Sequence, residues 1–151
     1  MSLIGDLIFG VRPKPLLKID GAPDDAHWRS VRPRSDGEIV QAHLATQDQN
    51  IEGAYGTLHA RKGEDMIVSY GDDDVAVVRR DLFERTYEPV RNGFRKRTDL
   101  DLRYFTLDQP AIVETLEGPQ RAERGDWIME GTEGELWPVK KQKAKRKYKP
   151  N

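Results

Sequence analysis

The chain has 151 residues, a formal net charge of −1 and 34% charged residues. This size predicts a single domain, 1–151, with a modest core, and the near-zero net charge gives no reason to expect disorder. The absence of cysteine excludes disulfides, thiolate metal sites and a cysteine nucleophile. No apolar run is long enough to cross a bilayer, so we expect no membrane insertion and a cytoplasmic location.

The first residues predict a short amphipathic helix over 2–9, with Ser2 at its start and Gly10 after its end. Its apolar face is expected to pack on the domain itself, on a second copy in a homo-oligomer, or on a membrane surface. The residues of this face are Leu3, Ile4, Leu7 and Ile8.

The N-terminal segment, 1–56, predicts a further short helix and one strand. Pro23 suits the first position of a helix over 23–30. Residues 38–45 alternate between apolar and polar side chains, which predicts a half-buried strand. Residues 47–56 are polar and contain glycine, so a loop is expected there.

Residues 57–90 predict a first β-hairpin unit. A strand over 65–70 is followed by a Gly-Asp-Asp turn and by a returning strand over 74–79. The returning strand contains a Val-Ala-Val-Val run, which is typical of a covered central strand. A short helix over 81–87 is expected to close the unit, because an aspartate can cap its start and Pro89 ends it.

The stretch 91–120 separates this unit from the end of the chain. Residues 91–101 are rich in charge and contain a glycine, which predicts a linker. Two strands are expected after it, at 102–107 and 111–116, on either side of an Asp-Gln-Pro turn.

Residues 121–151 repeat the pattern of the first hairpin unit and end in a basic tail. When Glu64 is omitted, 60–89 aligns with 122–150 without a further gap, and the residues after Glu64 are shifted by 61 positions. The identical residues at aligned positions include Asp65 and Asp126, Ile67 and Ile128, Val78 and Val139, Arg85 and Arg146, Tyr87 and Tyr148, and Pro89 and Pro150. We therefore interpret the second unit as a diverged copy of the first.

Substitutions distinguish the second unit from the first. Pro138 stands where the first unit has Val77, and proline cannot donate a ladder hydrogen bond, so this strand is expected at an edge or beside a bulge. In the terminal segment, lysine and alanine replace the Leu82 and Phe83 of the first unit. Because this removes apolar contacts, we expect a frayed or weakly docked terminus.

Together these elements predict a β-rich α+β fold, in which two related β-hairpin units and short helices form one compact body. The constant offset between the units predicts that they pack about a pseudo-twofold axis. This hypothesis requires both units to have the same strand topology.

Residues 120–140 resemble a small phage and bacterial family named for its Pro-Gly-Asp-Tyr-Gly motif. The match is carried by Gly125-Asp126-Trp127 and by Gly134-Glu135-Leu136-Trp137-Pro138-Val139, while Arg124 stands where the family has its first proline. The family's Thr-Tyr ending is kept in the first unit, at Thr86-Tyr87. The resemblance implies a small β-rich module often found on mobile elements, and it brings no biochemical activity with it.

Three side chains are candidates for the site of a small hydrolase or transferase. Asp65 and Asp126 could form a pair of carboxylates, and His43, on the polar face of its strand, could act as a general acid or base. The alternative for each aspartate is a hydrogen bond to backbone amides in the turn before its strand, and for His43 a surface position. No nucleophile elbow, phosphate loop or dinucleotide fingerprint is present, so the sequence favours a non-enzyme without deciding the question, and we expect no cofactor.

Metal binding is not predicted either. The three histidines, His27, His43 and His59, do not have the spacing of zinc ligands. The Asp72–Asp74 cluster offers oxygen atoms to a hard cation but lacks the spacing of an EF-hand loop, so a solvated hairpin tip is the favoured interpretation.

The segment 140–149 has seven basic residues and no acidic one, so with a net charge of −1 the other residues carry −8. This asymmetry predicts contact with nucleic acid or with an acidic protein, and its alternative is a solvated helix equivalent to that at 81–87. The candidate contact residues are Lys140, Lys141, Lys143, Lys145, Arg146, Lys147, Tyr148 and Lys149.

These observations favour a non-catalytic binding or accessory protein derived from phage or another mobile element. A nucleic-acid-binding protein that acts through the basic tail is the alternative. A small hydrolase or transferase is the second alternative.

Overall fold

The computed structural model describes residues 16–71 and 74–151. The predicted helix at 2–9, with its apolar face, and two aspartates of the first hairpin tip lie outside the described residues. The described part is β-rich, with fifteen short strands and two helices of seven residues. None of its helices has the length and apolar character needed to span a bilayer.

The elements alternate along the chain in short steps. The first ten are β1 (Leu17–Ile19), β2 (Arg29–Pro33), β3 (Gln41–Leu44), β4 (Gln49–Gly53), β5 (Gly56–Ala60), β6 (Asp65–Ser69), β7 (Val75–Arg79), α1 (Arg80–Thr86), β8 (Tyr87–Val90) and β9 (Gly93–Lys96). The remaining seven are β10 (Leu102–Thr106), β11 (Ala111–Thr115), β12 (Gly118–Ala122), β13 (Trp127–Glu130), β14 (Leu136–Val139), α2 (Lys141–Lys147) and β15 (Tyr148–Pro150).

The strands form several small sheets. One has five strands in the order β14-β13-β10-β2-β15, two have three strands in the orders β3-β6-β7 and β1-β11-β12, and β4-β5 and β8-β9 are hairpins. Among these pairs only β1 and β11 run parallel. We call β3–β9 with α1 the first unit, and β10–β15 with α2 and β2 the second unit.

The central strands β6 and β13 have the same pairing register. Strand β6 lies between β3 and β7, and β13 lies between β10 and β14. Met66 is opposite Val78, and Trp127, 61 positions later, is opposite Val139. A seven-residue helix follows directly after β7 and, one residue on, after β14, and neither helix has a side-chain cap.

Alternate side chains of β6 divide the core of the first unit into two clusters. Ile67 packs with Leu58 beneath the β4–β5 hairpin. Val68 packs on the other face with Phe83 and Tyr87, from α1 and the start of β8. Burial of each of these side chains contributes roughly 1.5–3 kcal/mol to the stability of the fold.

The core of the second unit is divided in the same way. Ile128 packs with Val113 of β11 on one face of β13. Met129 packs with Ala144 of α2 and Tyr148 of β15 on the other face. The helix and the hairpin therefore cover opposite faces of each sheet.

Strand β2 lies within the sheet that contains β13, and strand β9 lies beside the sheet that contains β6. Strand β2 pairs with β10 and β15, so Val31 lies opposite both Leu102 and Pro150. Strand β9 pairs with β8 and reaches β3 through a single bridge between Val40 and Phe94. The strand that precedes β3 in the chain thus belongs to the second unit.

Gly93 makes the approach of β9 to β3 possible. Its φ is +148°, a conformation that residues with a side chain rarely adopt. A Cβ at this position would lie 2.4 Å from the carbonyl oxygen of Val40. Any larger residue would force the two strands apart.

Several predicted elements agree with the structure. The strand at 38–45 contains β3, and the strands at 65–70 and 74–79 are β6 and β7. Helix α1 begins and ends one residue earlier than predicted. The prediction that Pro138 lies in an edge strand is confirmed, because β14 is the outermost strand of its sheet.

The helix predicted at 23–30 is wrong. Trp28 donates its indole N–H to the carbonyl oxygen of Pro23 at 3.1 Å, which holds the segment in a turn. Strand β2 then begins at Arg29, and pairing with strands on both of its sides stabilises an extended backbone there.

Three further predictions are wrong. The expected loop at 47–56 contains β4, and the expected linker at 91–101 contains β9. The Val-Ala-Val-Val run is in β7, which is an edge strand rather than a central one. It is apolar on both faces because one cluster of the first unit lies on each side of it.

The frayed terminus is also wrong. Residues 141–147 form α2, and β15 pairs with β2 beyond it. Ala144 and Tyr148 are buried and supply the apolar contacts that the loss of leucine and phenylalanine removes.

Candidate functional site

A cavity of about 160 Å³ lies between the two units. Its walls are mainly apolar and come from both units. They include Leu58, Val75, Val77 and Leu82 from the first unit, and Leu116, Leu136, Trp137 and Val139 from the second.

Two reciprocal backbone hydrogen bonds hold the units together beside this cavity. The His59 N–H donates to the carbonyl oxygen of Glu117 at 3.2 Å. The Arg121 N–H donates to the carbonyl oxygen of Tyr55 at 3.0 Å. Each bond joins β5 or β12 of one unit to the hairpin turn of the other.

Ion pairs between side chains also link the two units. Glu133, in the β13–β14 turn, lies 2.6 Å from Arg79 and also contacts Arg85 of α1. Asp74, after the β6–β7 turn, pairs with Lys143 of α2. The turn of each unit therefore contacts the segment around the helix of the other.

Lys96 lies in an aromatic enclosure at the cavity wall. Its ammonium group donates to the Tyr148 hydroxyl at 3.0 Å and lies 4.7 Å from the centroid of the Trp137 ring. The rings of Tyr87 and Tyr148 are within 6 Å of it. Within residues 16–71 and 74–151, no carboxylate forms an ion pair with Lys96.

Two lysines of α2 point toward the same region. The ammonium groups of Lys147 and Lys143 lie 3.8 and 4.7 Å from the ring centroid of Tyr70. Lys147 also pairs with Glu38 at 3.4 Å. Burial, together with the positive charges of Lys96 and Lys143, lowers the pKa of Lys147 to about 8.

The hydroxyl groups of Tyr70, Tyr148 and Tyr55 stay protonated at neutral pH. Burial raises the pKa of Tyr70 well above its usual value, and neighbouring Tyr87, whose hydroxyl is 3.5 Å away, adds to this. Burial likewise raises the pKa of Tyr148 and of Tyr55. The Tyr55 hydroxyl accepts a hydrogen bond from the backbone N–H of Lys140.

Carboxyl groups at the cavity wall are shifted toward the neutral form. Burial raises the pKa of Glu117 to about 8, and the charges of Asp65 and Glu135 act in the same direction. Burial also raises the pKa of Glu135. At pH 7 Glu117 is therefore mostly protonated, while Lys147 remains mostly charged.

The cavity thus combines apolar walls, aromatic faces and a cluster of cations, which is a lining suited to binding a ligand. In the described part of the chain, no three His, Asp or Glu side chains are grouped so as to hold a metal ion.

The aspartates singled out in the sequence each stabilise a turn. Asp65 is buried and accepts a hydrogen bond from the Arg61 backbone N–H at 2.8 Å. Asp126 is buried and accepts one from the Glu123 backbone N–H at 2.9 Å, with Lys140 at 3.3 Å. These contacts are those of the structural alternative. His43 is exposed on β3.

The basic tail divides into an inner and an outer set. Lys143, Lys147 and Tyr148 point into the body of the protein, and the two lysine side chains are only 13% and 19% exposed. Lys140 pairs with Asp126 and lies over the Tyr55 ring. The outer set comprises the exposed residues Lys141, Lys145, Arg146 and Lys149.

Sequence reasoning missed Lys96, Tyr70 and Glu117. Lys96 lies in a charged stretch that gives no signal for an inward side chain. The alternation of β6 places Tyr70 on the same face as Met66 and Val68, but it gives no signal that this tyrosine lies at a cavity. Glu117 is an acidic residue in a tight turn, and only the approach of the other unit buries it.

Comparison with protein-family models, with curated proteins and with solved structures finds no match to this chain.

Replacing Asp65 by alanine is expected to lower the free energy of unfolding by roughly 2 kcal/mol, because the turn loses the buried carboxylate that accepts from the Arg61 backbone N–H. Urea unfolding followed by circular dichroism measures this. Asp126→Ala should have a similar effect, whereas the exposed Asp108→Ala should change stability by less than about 0.5 kcal/mol. An Asp65→Ala value equal to that of Asp108→Ala would contradict the structural role.

Glu117 should make stability depend on pH. Its carboxyl ionises near 4.5 in the unfolded chain and near 8 in the folded protein, so stability falls as pH rises between these values and levels off above them. The free energy of unfolding of Glu117→Gln should therefore rise relative to that of the wild type from pH 5 to pH 8. We expect a rise on the order of 2 kcal/mol, since partial solvation of the site reduces the effect.

Urea unfolding at several pH values measures the Glu117 effect, and the exposed Glu114→Gln is the matched control. Stability curves for Glu117→Gln and the wild type that stay parallel over this range would show that the carboxyl is not held neutral.

Proposed function

We propose that the chain is a non-catalytic binding protein in which two related β-units enclose a ligand in the cavity between them. The observation that carries this proposal is that corresponding positions of both units line the cavity. Examples are Val75 with Leu136, and Tyr87 with Tyr148.

The register of the strand pairs supports the relation between the units. Partners in β4–β5 recur in β11–β12 at a shift of 62 positions, so that Ala60 and Ala122 correspond. Partners in β6–β7 recur in β13–β14 at a shift of 61. The change of one position falls at Glu64, the residue omitted in the alignment. The reciprocal hydrogen bonds beside the cavity are those expected of a pseudo-twofold arrangement.

The origin of the chain in phage or another mobile element belongs to the same proposal. It is supported only by the resemblance of the second unit to the Pro-Gly-Asp-Tyr-Gly family, through Gly125-Asp126-Trp127 and the strand that follows.

The size of the cavity defines the scale of the ligand. An apolar cavity of about 150 Å³ in an engineered protein binds benzene. The present cavity is of similar volume, about 160 Å³, and it has hydrogen-bonding groups in its wall. A molecule with one aromatic ring therefore fits.

A neutral probe tests the cavity. Benzyl alcohol is expected to shift the methyl NMR signals of Leu58, Val77 and Leu136 in a saturable way. Val75→Phe should weaken this binding at least about tenfold, because the larger side chain occupies the cavity. Ile112→Phe, on β11 and outside the cavity lining, is the matched control and should leave binding unchanged.

The proposal of a ligand site fails if benzyl alcohol at millimolar concentration shifts none of these signals. It also fails if Val75→Phe, shown by its melting curve to be folded, binds the probe as well as Ile112→Phe does.

Nucleic-acid binding is a second candidate function, favoured by one specific observation. Lys149 of β15 lies directly opposite Arg32 of β2, and both side chains are exposed. Like charges opposite each other on a sheet are destabilising. Lys145 and Arg146 of α2 are exposed as well, and we call these four residues the basic surface, to which phosphates could bind.

The binding of a fluorescein-labelled single-stranded oligonucleotide tests this candidate. Anisotropy at 50 mM salt should show binding that weakens steeply by 200 mM. The Lys145→Gln/Lys149→Gln double variant should reduce the salt slope by about two phosphate contacts relative to Lys18→Gln/Lys62→Gln. Absence of binding at 50 mM salt, or equal slopes for both double variants, would exclude this function for the basic surface.

A further inference from the structure

A second, smaller cavity of about 30 Å³ adjoins the larger one. The two share four lining residues, Tyr70, Tyr87, Lys96 and Lys147. The smaller cavity has room for about two or three water-sized groups. This is the scale of a carboxylate or a phosphate group rather than of a ring.

The lining of the smaller cavity carries an excess of positive charge. Its cations are Arg34, Arg95, Lys96 and Lys147, and its carboxylate is Glu38. Glu38 pairs with Lys147, and Arg34 donates its Nε to the carbonyl oxygen of Lys145 at 3.1 Å. In the part of the chain that the structure describes, neither Arg95 nor Lys96 forms an ion pair with a carboxylate.

The side chain of Arg95 independently indicates that a hydrogen-bond acceptor binds in the smaller cavity. Its Nε is buried and has no hydrogen-bond partner, and no other buried side-chain nitrogen or oxygen of the described residues lacks one. Leaving a buried donor unsatisfied costs roughly 1–3 kcal/mol, and more for a charged group. A water molecule would satisfy the hydrogen bond but would not balance the charge.

We infer that the smaller cavity binds the carboxylate or phosphate group of a ligand whose aromatic ring occupies the larger cavity. Arginine and lysine are the side chains that form strong charge-assisted hydrogen bonds with these anions. The shared residues Tyr70 and Tyr87 place aromatic rings at the junction, where the ring of the ligand would meet its charged group. This inference rests on the proposed function and adds the chemical class of the ligand.

Three probes that share a phenyl ring test the inference. Phenyl phosphate and benzoate carry the anion, and benzyl alcohol is the neutral counterpart; each is titrated into the full chain by calorimetry and NMR. At least one anion should bind about tenfold or more tightly than benzyl alcohol. Comparison of the two anions distinguishes a phosphate from a carboxylate.

Substitutions locate the anion. Arg95→Gln and Lys96→Gln should each weaken binding of the preferred anion by about tenfold. Arg95 lines only the smaller cavity, so Arg95→Gln should change binding of benzyl alcohol by less than about twofold. Arg91→Gln removes an exposed charge from the same β8–β9 hairpin and should change neither affinity. Melting curves by circular dichroism show whether each variant is folded, and Lys96→Gln decides the result if Arg95→Gln is not.

The outcomes separate this inference from the proposed function. If benzyl alcohol binds and neither anion binds more tightly, the anion site is overturned while the ligand cavity remains. If the anions bind but Lys96→Gln does not weaken them, the inferred position is overturned. If none of the three probes binds, both proposals fail.

Discussion

The arrangement of this protein depends on the backbone contact between its two units. The bonds from His59 to Glu117 and from Arg121 to Tyr55 place each hairpin against the turn of the other. The apolar residues left on the facing sides then enclose a cavity instead of filling a common core. Separating these two bonds would expose the cavity lining and release Glu117 from the environment that keeps it protonated.

The parts of the fold that could be predicted are those set by neighbouring residues. Strands β6 and β7 and helix α1 follow from apolar periodicity and turn residues within about 25 positions. Strands β2, β4 and β9 were missed, because their own sequences are polar, contain glycine or are rich in charge. For β2, pairing with distant segments determines the conformation, because it lies between β10 and β15. Strand β9 pairs with its neighbour β8, and Gly93 lets it approach β3.

The candidate site was less predictable than the fold. Sequence reasoning treated the basic tail as a surface feature, yet Lys143 and Lys147 point inward and lie over the ring of Tyr70. In the first unit, Leu82 and Thr86 occupy the positions of these lysines and also line the cavity. A lysine run cannot show which of its members are buried, because that depends on helical phase and on what packs against the helix.

The pairing of β2 with β15 has a consequence for the order in which structure forms. Arg32 and Asn151, whose side chains are hydrogen-bonded, are 119 positions apart, whereas the partners within the β6–β7 and β13–β14 hairpins are close neighbours in sequence. Distant contacts carry the larger entropy of loop closure and form more slowly. The hairpins can therefore assemble early, and the five-stranded sheet is completed late. Since α2 leads directly into β15, Lys143 and Lys147 of α2 would reach their positions at the cavity wall only in that final step.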